Sequence, residues 1–220
     1  MNETLGAQVL THLRAQLITG MLAPGDKLSL RTLALQLGVS MQPVREAVAR
    51  LVAERALEVT PKRSVQVPLM SLPQFRELTA IRLAIEGFAA EQAARRRGGA
   101  ERAALRRNEA AFRRESKRRV PDIDAAIVAN ANLHFAMYRA AGMPALIAII
   151  EGLWLRIGPV LNLDLRSGEN RMASGAAANA HAAMVAAIAR GDARAARAAL
   201  CRDIGSTAAY IETRGVLPPA

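Results

Sequence analysis

The stretch from Leu37 to Leu51, LGVSMQPVREAVARL, constrains the fold more than any other part of the chain. Ser40 is an N-cap residue, with a side-chain oxygen available to the free amides of a first helical turn. Pro43 fits inside that turn, because its missing N–H would have no intrahelical partner there. Val44, Val48 and Leu51 recur at helical spacing and define an inward face, while Met41, Gln42, Arg45 and Ala49 point away. Upstream, Ser29 is placed to cap a short helix with Leu30, Leu33 and Leu37 inward, and Gly38 to end it. Two short helices around a glycine turn, the second with polar and cationic groups at its exposed start, predict a helix-turn-helix whose second helix enters the major groove by its N-terminal end.

The flanks extend this unit. Leu5, Val9, Leu13 and Leu17 are four residues apart and predict an amphipathic helix ending near Gly20. MLAPGDKL follows and reads as a Pro-Gly turn. On the other side, Leu57 and Val59 alternate with Glu58 and Thr60, a turn TPKRS follows, and Val65 and Val67 alternate with Gln66. This is the pattern of a short β-hairpin with a basic tip, the wing of a winged helix. Its Lys62 and Arg63 are placed to meet phosphate or the minor groove.

Charge needs care. The chain carries 30 basic and 19 acidic residues, a net charge of +11, which suggests a polyanionic partner. The excess lies mainly between Arg95 and Arg119 and not around the helix-turn-helix. That run reads first as a solvated helix face and only second as a phosphate-binding surface. A single cysteine, Cys201, excludes an intrachain disulfide and points to an intracellular, cytoplasmic protein. No run resembles a signal peptide or a membrane span, the longest apolar stretches being short and interrupted by charge, so no membrane partner is expected.

From Ser71 onward the sequence predicts about six helices. Leu78, Ile81, Ile85 and Phe88 form one apolar stripe, Gly98-Gly99 ends that helix, and a charged helix spans about 101–118. Pro121-Asp122 opens the next helix. Gly142 and Pro144 mark a tight interhelical turn, another break lies near Ser167-Gly168, and Asp192 caps the last helix after Gly191. The fold class is therefore mostly α: a winged helix-turn-helix over residues 1–70 and an all-α bundle over 71–220. Trp154 and Cys201 are expected to pack in its core.

Residues 5–68 resemble the winged-helix domain of GntR-family bacterial transcription regulators, whose pattern runs PG, L, LA, LGVS, PVREAL, RL and then a hairpin. The resemblance implies DNA contacts by Arg31, Ser40 and Arg45 on the two helices, and by Arg63 and Ser64 at the wing tip. Three positions depart from it: Met41 stands where Arg is usual, Ala56 where Gly is usual, and Ser64 at the wing-tip Gly. Arg31, Ser40, Met41, Gln42, Arg45, Lys62, Arg63 and Ser64 make up the candidate DNA-binding face.

In the helical part, Asn130 and His134 are four residues apart and share a helix face. His181 precedes the Gly191-Asp192 turn by about as many residues as Asp203 follows it, which puts the two at similar heights on antiparallel helices. The four side chains could converge. Residues 71–214 resemble the FCD-type effector domain, a helical bundle that often holds a metal through an Asp and three His. NANLHFAMYRAAGMPAL and AHAAMVAAIARGDARAARAALCRDI match its two ligand-bearing motifs. Asn130 replaces the usual Asp and Asp203 the last His, so this ligand set favours a harder divalent ion or none.

The resemblance further implies a homodimer that binds double-stranded operator DNA, usually as a repressor, under control of a small-molecule effector such as an organic acid. Arg82 and Arg139 are candidate partners for an effector carboxylate, although Arg82 also stands four residues before Glu86, the spacing of an intrahelical ion pair. No enzymatic activity is expected. Two other readings remain at this stage. One is a metal-dependent hydrolase using His134, His181 and Asp203; the other is an architectural DNA-binding protein using the Arg95–Arg119 run.

Overall fold

The computed structural model describes residues 4–96, 98–162 and 175–219. Among them the elements run α1 (Leu5–Ile18), β1 (Lys27–Leu28), α2 (Leu30–Leu37), α3 (Met41–Ala53), β2 (Glu58–Val59), β3 (Val65–Gln66), α4 (Leu72–Arg96), α5 (Gly99–Ser116), α6 (Ile123–Ala140), α7 (Pro144–Leu161), α8 (Ala176–Arg190) and α9 (Ala193–Thr213). The chain divides into two compact units: described residues 4–70 with 154–162, and 71–153 with 175–219. The break expected near Ser167-Gly168 lies outside the described residues.

In the first unit, Val9, Leu13 and Leu17 of α1 meet Leu33, Val44, Val48, Leu51, Leu57 and Val67 in one core, joined by Leu155. Each fully buried leucine there contributes roughly 1.5–3 kcal/mol of burial free energy. Leu5 is exposed, so the inward stripe of α1 starts one turn later than its spacing suggests. Ser29 caps α2, its Oγ accepting from the Thr32 amide at 3.2 Å. Gly38 ends α2 with φ +64°, a left-handed conformation that costs a glycine little.

Two expectations change here. Ser40 occupies the N-cap of α3 but its side chain makes no capping bond. The Pro-Gly turn continues into a strand: β1 pairs antiparallel with β3, Lys27 against Gln66 and Leu28 against Val65. The sheet order is therefore β1-β3-β2, three strands where a two-stranded hairpin was expected.

In the second unit, α4 packs mainly on α9, α8 on α9, and α5 on α6. Asp122 caps α6 and Asp192 caps α9, each accepting from the amide three residues on. The inward face of α4 differs from the expected stripe. Leu78 is buried, but Ile81 and Phe88 are exposed, and the helix turns Phe75, Arg82, Glu86, Ala89 and Ala93 inward instead. The alanines let the neighbouring helices approach, and a charged pair occupies the space between them. α7 is long and apolar enough by composition to cross a membrane, which the sequence-based expectation excluded; 56% of that stretch is buried inside the protein, as in a core helix. Of the two residues expected in the bundle core, Trp154 is buried but falls in the first unit, and Cys201 is only half-buried.

Candidate functional site

Two regions concentrate unusual chemistry, one in each unit. In the first, α2, the turn at Gly38 and α3 bring Arg31, Ser40, Gln42 and Arg45 to the solvent-exposed side. Met41 does not join them fully: it is half-buried and packs against the core. Its flexible thioether fills the gap there. Gln42 donates its amide to Glu46 Oε1 at 2.9 Å, one turn along α3.

At the wing tip, Arg63 has φ +59°, uncommon for a side-chain-bearing residue. The turn is held by Thr60 and Ser64, whose hydroxyls meet at 2.8 Å while the Thr60 amide donates to the Ser64 carbonyl, also at 2.8 Å. Ser64 is thus engaged within the wing, and Lys62 and Arg63 are its exposed cations. Among the described residues, Arg31, Arg45, Lys62 and Arg63 are in no ion pair.

The second region lies inside the helical unit. His134 of α6, His181 of α8 and Asp203 of α9 are 2%, 1% and 6% exposed. His134 Nε2 is 3.2 Å and His181 Nε2 3.4 Å from the same oxygen, Asp203 Oδ2. One ligand atom from each lies within 4.8 Å of the others. Burial would raise the Asp203 carboxyl, but the flanking His181 and His134 outweigh it and hold Asp203 well below the usual carboxylate range. Among the described residues neither ring nitrogen of His181 has a hydrogen-bond partner, although Nε2 lies near Asp203. A buried imidazole with both nitrogens unsatisfied is costly without a further partner. Phe112 of α5 packs edge-on against that ring, centroids 4.7 Å apart, and fixes its plane.

Behind His134 the polar chain continues. Arg82 and Glu86 of α4, 3% and 0% exposed, are paired at 2.6 Å from Nε to Oε1 and 3.3 Å from Nη2 to Oε2. Tyr138 donates its hydroxyl to Glu86 Oε2 and lies 3.2 Å from His134 Nδ1. Burial opposes the Arg82 charge, but Glu86, Tyr138 and Asp203 outweigh it and raise its pKa.

Family comparisons agree with both regions. Residues 77–206 match the FCD domain, and residues 5–67 match the bacterial regulatory proteins of the gntR family. The chain is also 36% identical over 159 residues to the HTH-type transcriptional regulator McbR of Escherichia coli (strain K12), covering 72% of this chain and 71% of that one. The chain belongs to the GntR family.

As a GntR-family protein with an FCD domain it is a transcription regulator, not an enzyme, and the hydrolase reading falls. The solved structure of E. coli McbR/YncC superposes with a TM-score of 0.89 at 29% identity, covering 97% of this chain and 100% of that one. A putative GntR regulator from Rhodococcus sp. RHA1 shares the fold, with a TM-score of 0.73 at 20% identity over 94% of this chain and 97% of that one. The HTH-type transcriptional repressor RspR of E. coli (strain K12) is 34% identical over 92 residues, 42% of this chain and 40% of that one.

Within this GntR-family chain, His134, His181 and Asp203 come together as their spacing suggested. Asn130 lies one turn before His134, half-buried, and is not among the groups that bond the cluster. Arg82 is bound to Glu86, and Arg139 sits on the exposed side of α6. The Arg82–Glu86 pair was expected from its four-residue spacing, whereas Tyr138 was not singled out; its position four residues after His134 is the signal that could have found it. In the Arg95–Arg119 run, Arg95, Arg113, Arg114 and Arg118 each pair with a nearby glutamate, and Arg97 lies outside the described residues.

Proposed function

We infer that this regulator is a homodimeric repressor of operator DNA in the cytoplasm, released by a small organic acid that binds the helical unit at a divalent metal ion. The carrying observation is the buried His134–His181–Asp203 group with its unsatisfied His181 nitrogens. Two imidazoles and a carboxylate on three helices fit a divalent ion while leaving coordination positions open. The bound metal would act as a Lewis acid toward a chelating carboxylate. Asn130, one turn before His134 on α6, is the candidate to offer an amide oxygen to the ion. Arg139 could reach only an effector that extends to the surface.

On the DNA side, Arg31, Ser40, Gln42 and Arg45 form the groove-facing set, with Lys62, Arg63 and the Ser64-braced wing on the adjoining backbone. A dimer gives two such sets for two half-sites. Effector control requires that the ligand bind one arrangement of the dimer better than the other; equal affinity would shift nothing. That RspR is named a repressor supports the sign of regulation proposed here.

The test is operator binding by fluorescence anisotropy. Arg45→Ala should weaken the specific operator by about 1–3 kcal/mol, roughly 5- to 150-fold, and change random-sequence DNA far less. Equal loss on both DNAs would favour the architectural reading, and no loss at all would remove Arg45 from the interface.

A further inference from the structure

The groups behind His134 determine which of its nitrogens can bind a ligand. Glu86 is held through both oxygens by the Arg82 guanidinium, so it is a carboxylate and can only accept. The single proton of the Tyr138 hydroxyl is therefore committed to Glu86 Oε2. Toward His134 Nδ1, 3.2 Å away, the phenol oxygen has only lone pairs left to offer. Nδ1 must then carry the hydrogen. In the neutral ring this leaves Nε2 as a bare lone pair, 3.2 Å from an oxygen of the Asp203 carboxylate. Two electron-rich atoms facing each other in a buried site repel unless a second ring proton or a metal cation lies between them. The second imidazole, from His181, reaches the same carboxylate oxygen.

We propose that Tyr138, anchored by Glu86 and Arg82, is a positioning residue that locks His134 in the Nδ1–H tautomer and so turns its Nε2 toward a divalent cation shared with Asp203 and His181. This rests on the metal reading given above. It also assigns Arg82 a role as the far anchor of the chain, in place of a contact to an effector. The arrangement has the logic of outer-shell partners generally, in which an acceptor on one imidazole nitrogen orients the ring and raises the basicity of the other.

The phenol oxygen is the only group to be removed in the test, since Tyr138→Phe keeps the ring and its packing. Without it, Nδ1–H loses its acceptor, and the opposite tautomer, with Nε2–H donating to Asp203, competes with the metal. The measurement is titration of full-length, metal-free protein with Co2+ alone, following the ligand-field absorption and, in parallel, the heat of binding. Wild-type protein should bind one ion per chain, and Tyr138→Phe should bind it about 10- to 100-fold more weakly with an altered ligand-field spectrum.

Equal Co2+ affinity and spectra for the two proteins would overturn the positioning role while leaving the metal reading intact. No Co2+ binding by the wild type would overturn both. Should Tyr138→Phe fail to fold, 15N-histidine NMR of the Zn2+-loaded wild type decides. Hydrogen on Nδ1 and metal on Nε2 of His134 supports the proposal, and the reverse assignment refutes it.

Discussion

Removing one member of the buried pair between Arg82 and Glu86 should cost far more than removing both. Glu86→Leu leaves the Arg82 guanidinium, 3% exposed, without the carboxylate that holds it at 2.6 Å. Breaking a buried pair from one side typically costs about 3–5 kcal/mol, because the remaining charge is uncompensated. The Tyr138 hydroxyl also loses its acceptor, which adds about 1–3 kcal/mol. Taking roughly 4 kcal/mol as the lower part of this range, and about 2–4 °C per kcal/mol for a chain of this size, the melting temperature should fall by about 8–16 °C. In Arg82→Met/Glu86→Leu no charge remains, and apolar side chains of similar volume fill the same space between α4, α6 and α9. Its cost should shrink to the stranded phenol, about 1–3 kcal/mol. Thermal and urea unfolding of metal-free protein, followed by circular dichroism, measure both variants and Arg82→Met alone. A single-variant cost under about 1 kcal/mol, or a double variant as unstable as the two singles summed, would show that burial of the pair does not govern stability.

Two further perturbations probe the first unit. A Cβ on Gly158 would lie 2.5 Å from the Leu17 carbonyl oxygen and 2.8 Å from that of Ile18. These are backbone atoms that no rotamer change can move aside. Gly158→Ala should cost about 1–3 kcal/mol, read as a lowered urea midpoint, while Gly152→Ala in the same helix, with nothing within 4 Å, should be neutral or slightly stabilising. At the wing, Arg63→Gly relieves a left-handed backbone worth about 1–2 kcal/mol against an entropic loss of about 0.5–1 kcal/mol. Its melting temperature should stay level or rise slightly while DNA affinity drops and the slope of affinity against salt falls by about one; a stability loss would contradict the strained-tip account.

The winged helix was legible because its signals are local. Ser29, Gly38 and Pro43 punctuate the chain at fixed offsets, and the alternation around the wing announces itself within a few residues. β1 was missed because a two-residue strand has no period; only its register against β3 creates it. Ser40 looked like a capping residue, but the caps at Ser29, Asp122 and Asp192 accept from the amide three residues on, and three residues after Ser40 stands Pro43, which has no N–H to donate. The helical caps at Asp122 and Asp192 and the approach of His181 to Asp203 followed from helix geometry alone. α4 misled for a different reason. The apolar stripe assigned Ile81 and Phe88 inward and gave Arg82 and Glu86 only as an intrahelical pair, whereas the fold buries that pair because Tyr138 and the alanine faces around it complete a polar interior. That arrangement depends on residues more than fifty positions apart, and no window along the chain contains it.

The uncapped start of α3 has a consequence for how the protein meets DNA. A helix whose first turn lacks its usual side-chain acceptor is free to fray at that end, and this end carries the residues proposed above to face the groove. A phosphate oxygen arriving there would supply the missing acceptor, favoured also by the positive end of the helix dipole. Binding would then finish a piece of secondary structure as well as add contacts, and the amides near Ser40 would be expected to exchange with solvent quickly in the free protein and slowly on the operator.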